Sequence, residues 1–135
     1  MPLSADDKLV ILDTIARYNR AADKHDVEAT TSLYTDDGFI DGFFQARAGK
    51  AFAEDLQKIF EMESGTLNRH VSTNHIIEGD GDRAVVDSLL IVFKGDMFKG
   101  EEVTVGATVV IRDELRKVGS RWLVARHTVG RKPVS

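Results

Sequence analysis

Near residue 68 the chain changes period, and that switch restricts the folds open to it more than any other feature. Before it, apolar residues recur at helical spacing: Leu9, Leu12, Ile15, Ala16 and Ala22 in one segment, Phe52, Leu56, Ile59 and Phe60 in another. After it, segments 69–77, 84–93, 103–111 and 121–129 are rich in β-branched residues and separated by turn formers. Helices gathered in one half and strands in the other indicate an α+β architecture. A length of 135 residues is enough for one core, so a single domain spanning 1–135 is expected.

Local signals divide these halves further. Ser4 followed by Asp7 reads as a helix N-cap with an acidic third position. Asp26 can cap a short second helix over 27–34, and Thr35-Asp36-Asp37-Gly38 is turn chemistry. A short strand over 39–44, broken by Gly42, precedes a third helix over 50–62. Residues 78–82 read as a hairpin turn, 94–100 as a polar connection and 113–120 as a turn. Residues 131–135 read as a tail, with Pro133 opposing further pairing. The expected order is three helices with one strand among them, then a four-strand antiparallel meander. Long strands that wrap helices must curl, so the expected form is a cone-shaped sheet enclosing an apolar pocket.

Several function classes are disfavoured. The net charge of −4 gives no electrostatic drive toward nucleic acid. Without cysteine there is no disulfide framework and no thiolate chemistry. No apolar run reaches the length of a membrane span, and the polar start MPLSADDK does not read as a signal peptide, so a cytoplasmic location is expected. The histidines are His25, His70, His75 and His127, with no HExxH pattern. His70 and His75 are an odd number apart, so regular strand alternation would aim them apart. Asp80-Gly81-Asp82 is better explained as a turn than as a calcium loop. P-loop, GxGxxG and Gly-x-Ser-x-Gly patterns are missing. No metal and no cofactor are therefore expected.

One residue contradicts the apolar pattern usefully. Asp23 lies eleven residues after Leu12, about three helical turns, and so points the same way as Leu12, Ile15, Ala16 and Asn19. A carboxylate on a face due for burial is costly unless paired. His70, on the first strand of the meander, is the candidate partner. A carboxylate fixes an imidazole's orientation and stabilises its cationic form, which suits the ring to carry protons. Alternation would place Ser72, Asn74 and Ile76 with His70 on the cavity face, making Asn74 a neighbour of the site. Tyr18, about 140° around the helix from Asp23, could lean to the cavity edge and donate to an oxyanion. On the last strand Trp122 shares a face with Arg126, and His127 shares the other with Ala125, so only one of Arg126 and His127 can look inward.

Residues 16–38 (ARYNRAADKHDVEATTSLYTDDG), 48–56, 68–86 and 121–129 together resemble the nuclear-transport-factor-2-like superfamily and its SnoaL-like branch. The resemblance implies a cone-shaped α+β fold, a deep apolar pocket and a homodimer formed through the outer sheet face. Members of the scytalone dehydratase and lindane dehydrochlorinase types have an Asp and a His matching Asp23 and His70, used there as a proton-abstracting dyad. A second histidine of the dehydratase falls at Ser88, and an arginine of the dehydrochlorinase falls at His127, one residue from Arg126. Ketosteroid isomerase is similar over the first part of the chain. Its oxyanion tyrosine matches Tyr18, but its base falls at Gly42, beside Asp41, and its protonated acid falls within 104–108, where no carboxylate occurs.

The expected function is a cofactor-independent lyase or isomerase. It would act by elimination, dehydration or cyclisation on a small, apolar, cyclic molecule. Asp23 and His70 would be catalytic, and Tyr18, Asn74, Ser88, Trp122 and Arg126 or His127 would contact the substrate. The alternative is a non-catalytic ligand-binding or assembly domain of the same fold. A subunit role beside a larger oxygenase chain ranks third.

Overall fold

The computed structural model describes residues 1–130, so the tail with Pro133 lies outside the described residues. Helix α1 (Ala5–Asp23) begins in a reciprocal capping box: the Ser4 hydroxyl accepts from the Asp7 amide, and the Asp7 carboxylate accepts from the Ser4 amide. Helix α2 (Val27–Thr31) is capped by Asp26, and α3 (Phe52–Met62) follows one 3₁₀ turn at Gly49–Ala51. The expected stripe on α3 is buried intact, with Phe52, Leu56, Ile59 and Phe60 all in the core. Among the described residues no helix is long and apolar enough to cross a membrane.

The strands are β1 (Tyr34–Gly42), β2 (Asn68–Asp80), β3 (Arg83–Lys94), β4 (Thr104–Val118) and β5 (Arg121–Val129), in sheet order β1-β5-β4-β3-β2. Strands β2 to β5 form the expected antiparallel meander, and β1 adds to β5 in parallel. The fold is α+β: three helices and a curled, unclosed five-stranded sheet.

Three expectations about local structure are corrected. The second helix stops at Thr31 rather than 34, and the supposed turn at 35–38 lies inside β1 as an irregularity between Tyr34 and Phe39. Asp37 there is held by Arg116, which explains why turn-like polar residues sit in a strand. The supposed turn at 113–120 is mostly strand: β4 runs to Val118, and the chain reverses at Gly119 and Ser120. Its charges alternate outward, with Arg112 paired to Asp87, while Ile111, Asp113 and Leu115 are buried. One inward carboxylate was enough to disguise the period. Gly42 ends β1 at φ 101°, where a Cβ would lie 2.0 Å from the Val129 carbonyl oxygen.

The third correction concerns α1. Its deeply buried residues are Ile11, Thr14, Ile15, Ala21 and Ala22, while Ala16 is exposed. The stripe facing the sheet therefore runs Ile11, Ile15, Tyr18, Ala22, rotated from the one expected. Tyr18 lies on it, and Asp23 lies at its margin. Thr14 can be buried because its hydroxyl donates to the carbonyls of Val10 and Trp122.

Candidate active site

The curl of the sheet against α1 and α3 leaves a cavity of about 520 Å³, lined mainly by apolar side chains such as Ile15, Leu56, Ile59, Phe60, Leu90 and Val109. Tyr18, Asn19, His70, Ser72, Asp113 and His127 contribute the polar groups on its inner wall, and Glu63, Asn68 and Lys94 also line it. A space of this size and character suits a small, largely apolar ligand.

At one corner, Asp23 from the last turn of α1 meets the start of β2. One carboxylate oxygen, Oδ1, is 2.6 Å from His70 Nδ1 and accepts the His70 backbone N–H at 2.8 Å. Both side chains are nearly buried, at 14% and 13% exposure. Holding backbone and ring with the same atom fixes the imidazole plane. It leaves Nε2 as the ring nitrogen without a hydrogen-bond partner among the described residues, on a residue that lines the cavity. An ionised Asp23 requires hydrogen on Nδ1, so a neutral His70 has its lone pair at Nε2. Beside the pair, the Asn19 amide donates to the Ser72 hydroxyl at 2.6 Å, a second α1–β2 bond.

Deeper in, β4 and β5 hold Asp113 and His127 opposite one another in register. Their Oδ1 and Nδ1 are 2.5 Å apart, with side-chain exposures of 5% and 11%. The Tyr18 ring stacks on the His127 imidazole with centroids 4.7 Å apart and planes inclined by 27°. The Tyr18 and Tyr34 hydroxyls are 2.6 Å apart. Burial pushes the Tyr18 phenol well above its ordinary value, although the bond to Tyr34 pulls it partly back. Burial raises Tyr34 too, so both stay neutral hydroxyls near neutrality.

Two β-bulges decide which candidates reach this wall. In β2 the register shifts between Thr73 and Ile76, and Asn74 takes a left-handed φ of 55°. The extra residue inverts the alternation: Asn74 and Ile76 are exposed, and Ile77 packs on the core. Asn74 is thus outside the cavity. The parity argument separating His70 from His75 also fails, since both line the groove between α1 and β2. Among the described residues, however, no group of three or more His, Asp or Glu could hold a metal ion.

In β5 the pairing shifts beside Ala125, so Trp122, Val124, His127 and Val129 are all buried. His127 faces the cavity, while Arg126 turns to the other side, against Asp41 at 2.8 Å, Glu114 and the Phe39 ring. Trp122 is a core residue away from the cavity lining, its indole N–H donating to Asp7. Ser88 is buried on β3, its hydroxyl without a hydrogen-bond partner among the described residues, but it does not line the cavity. Asp41, beside Gly42, likewise does not line it. Asp113 and Tyr34 were missed: one sat in a segment read as a turn, the other at the end of a segment read as helix. The available signal was the run Ile111-Arg112-Asp113-Glu114-Leu115, which alternates once Asp113 is allowed inside.

Residues 4–128 match the model of the SnoaL-like domain. The chain belongs to the SnoaL-like domain family. Solved structures similar to this SnoaL-like protein include a protein with a cystatin-like fold from Nostoc punctiforme, at 29% identity over 98% of this chain and 96% of that one, TM-score 0.81. A Catenulispora acidiphila protein in complex with S-DNPA is similar at 23% identity over 94% of both chains, TM-score 0.79. A provisionally named scytalone dehydratase from Novosphingobium aromaticivorans is similar at 18% identity over 91% of this chain and 82% of that one, TM-score 0.74. No curated protein matches the sequence. These likenesses establish the fold, and what this member does must be argued from its own site.

Proposed function

We propose that this SnoaL-like protein is a cofactor-independent proton-transfer enzyme, a lyase or isomerase acting on a small, apolar, cyclic molecule. The observation that carries this reading is the His70 imidazole, anchored through Nδ1 by Asp23 while the residue lines an apolar cavity. His70 takes a proton from a carbon of the substrate and returns it to another carbon or to a leaving hydroxyl. Asp23 keeps the ring in place and stabilises the imidazolium as it forms, which is the division of labour expected of an imidazole–carboxylate pair. The apolar walls exclude water and hold the substrate by shape, so orientation contributes much of the rate.

Asp23 and His70 are catalytic in this reading, and Tyr18, Asn19 and His127 contact the substrate. The exposed Val71, Ile76 and Val105 offer an apolar surface on the outer face of the sheet for self-association. We assign a homodimer to it, with sedimentation analysis as the check: a monomer at micromolar concentration refutes the assignment. A ligand-binding domain of the same fold is the competing reading, favoured by the predominantly apolar cavity.

The deciding experiment screens cyclic alcohols, enones and halides for elimination or isomerisation. His70→Ala should lower turnover of any substrate found by about 10²–10⁴-fold, and Asp23→Asn should lower it too. Full turnover in both variants refutes the dyad, and binding without turnover across the panel selects the binding-domain reading.

A further inference from the structure

The geometry points to a second proton-handling pair in the same cavity: His127, set by Asp113 and stacked on Tyr18, donates through Nε2 to a carbonyl oxygen of the substrate. The substrate class is then narrower than above, a cyclic ketone or enone with an acidic C–H near its carbonyl. This rests on the reading of His70 as the base, but its test does not.

The observations are independent of the Asp23 corner. Asp113 is buried, and its only hydrogen-bond partner among the described residues is His127 Nδ1. Among the described residues Asp113 lacks a backbone donor like the one that Asp23 has, so this buried pair is least costly when the two together are neutral, which requires one proton in the bond between them. That proton can sit on either side, and in both arrangements Nε2 also carries hydrogen. Nε2 has no hydrogen-bond partner among the described residues, and the ring that carries it lines the cavity. Tyr18 covers one face of the ring and is itself held by Tyr34, so the imidazole cannot swing away.

The placement suits a two-ended reaction. His70 comes from β2 and His127 from β5, and both line the same cavity. In the proposed complex one imidazole approaches the carbonyl oxygen and the other a nearby carbon, each at about 3 Å. In the forward step His70 Nε2 takes the proton as the C–H bond breaks, and the freed pair forms a C=C bond. The carbonyl π pair moves to oxygen, which takes the Nε2 proton of His127. Reversal at a different carbon completes an isomerisation and restores both histidines without any co-reactant.

The test measures binding of 2-naphthol, which carries oxygen on an sp² carbon as the enol does, against naphthalene, which lacks it. The wild-type protein should bind 2-naphthol more tightly. His127→Gln and Asp113→Asn should each weaken 2-naphthol at least tenfold with naphthalene unchanged, and His70→Ala should leave this discrimination in place. In wild-type protein labelled with ¹⁵N-histidine, the His127 Nε2 signal should shift with 2-naphthol and not with naphthalene, a readout available even if a variant fails to fold. The inference is overturned if wild-type protein shows no preference for 2-naphthol, binds neither compound or shows no such shift, or if folded His127→Gln binds 2-naphthol within twofold of wild type. None of these results bears on whether His70 is a base, which the turnover screen decides separately.

Discussion

Two imidazole–carboxylate pairs present their rings to one cavity, and they are built differently. Asp23 and His70 join a helix terminus to a strand, and Asp23 Oδ1 is shared between the ring and the backbone N–H of residue 70. Asp113 and His127 face one another across adjacent strands, and the carboxylate has no other hydrogen-bond partner among the described residues. The first pair is backed up by main chain. The second depends wholly on its side chains and on the tyrosine covering it. The contrast teaches that similar distances, 2.6 and 2.5 Å, can conceal different consequences of losing one partner.

The strongest way to break this comparison is to remove each imidazole and measure stability by denaturant titration. His127→Ala strands Asp113 in the interior, and a loss of about 3–5 kcal/mol is expected, the cost of orphaning one member of a buried ion pair. His70→Ala should cost clearly less, about 1–2 kcal/mol, because Asp23 keeps a backbone donor. Equal losses would show that the main-chain bond contributes nothing. Tyr34→Phe tests the covering tyrosine: losing its bond to Tyr18 should cost about 1 kcal/mol, read as a lowered denaturation midpoint with the cavity still able to bind.

The smallest expected effect comes from a third imidazole that has no carboxylate. His75 Nε2 is buried without a hydrogen-bond partner among the described residues, and burial lowers the residue's pKa from 6.5, offset in part by Asp113. The unfolded chain therefore takes up the proton more readily than the folded one. Stability should fall as pH drops below about 6.5 and level off once the folded form also protonates. His75→Gln should flatten that slope in unfolding curves measured between pH 7 and 5, and an unchanged slope would assign it to other groups.

Much of the architecture was legible because it depends on periodicity. The α3 stripe, the four meander strands and the Ser4 capping box follow from local spacing, and the structure contains all of them. The first pair was legible for the same reason, since an acid on a helix face otherwise apolar marks itself. Its helix was nonetheless read with the wrong rotation, because Thr14 hides its hydroxyl in backbone bonds and so occupies a buried position. Asn74, Arg126 and His127 were sorted by strict alternation, and bulges beside Asn74 and Ala125 inverted it. A bulge is one extra residue on one strand, with a weak local signature, and it is settled by the partner strand's register.

What the sequence by itself determined is the division into helices and strands, the curled sheet and the acid at the end of α1, all consequences of short-range spacing and of the cost of burying charge. The tertiary structure alone decided which face of β2 and β5 looks inward, and hence that His127 rather than Arg126 reaches the cavity and that Asp113 stands beneath it. The reason is physical. Side-chain direction on a strand is a running count, and a single inserted residue, permitted only by the neighbouring strand, resets that count for everything beyond it.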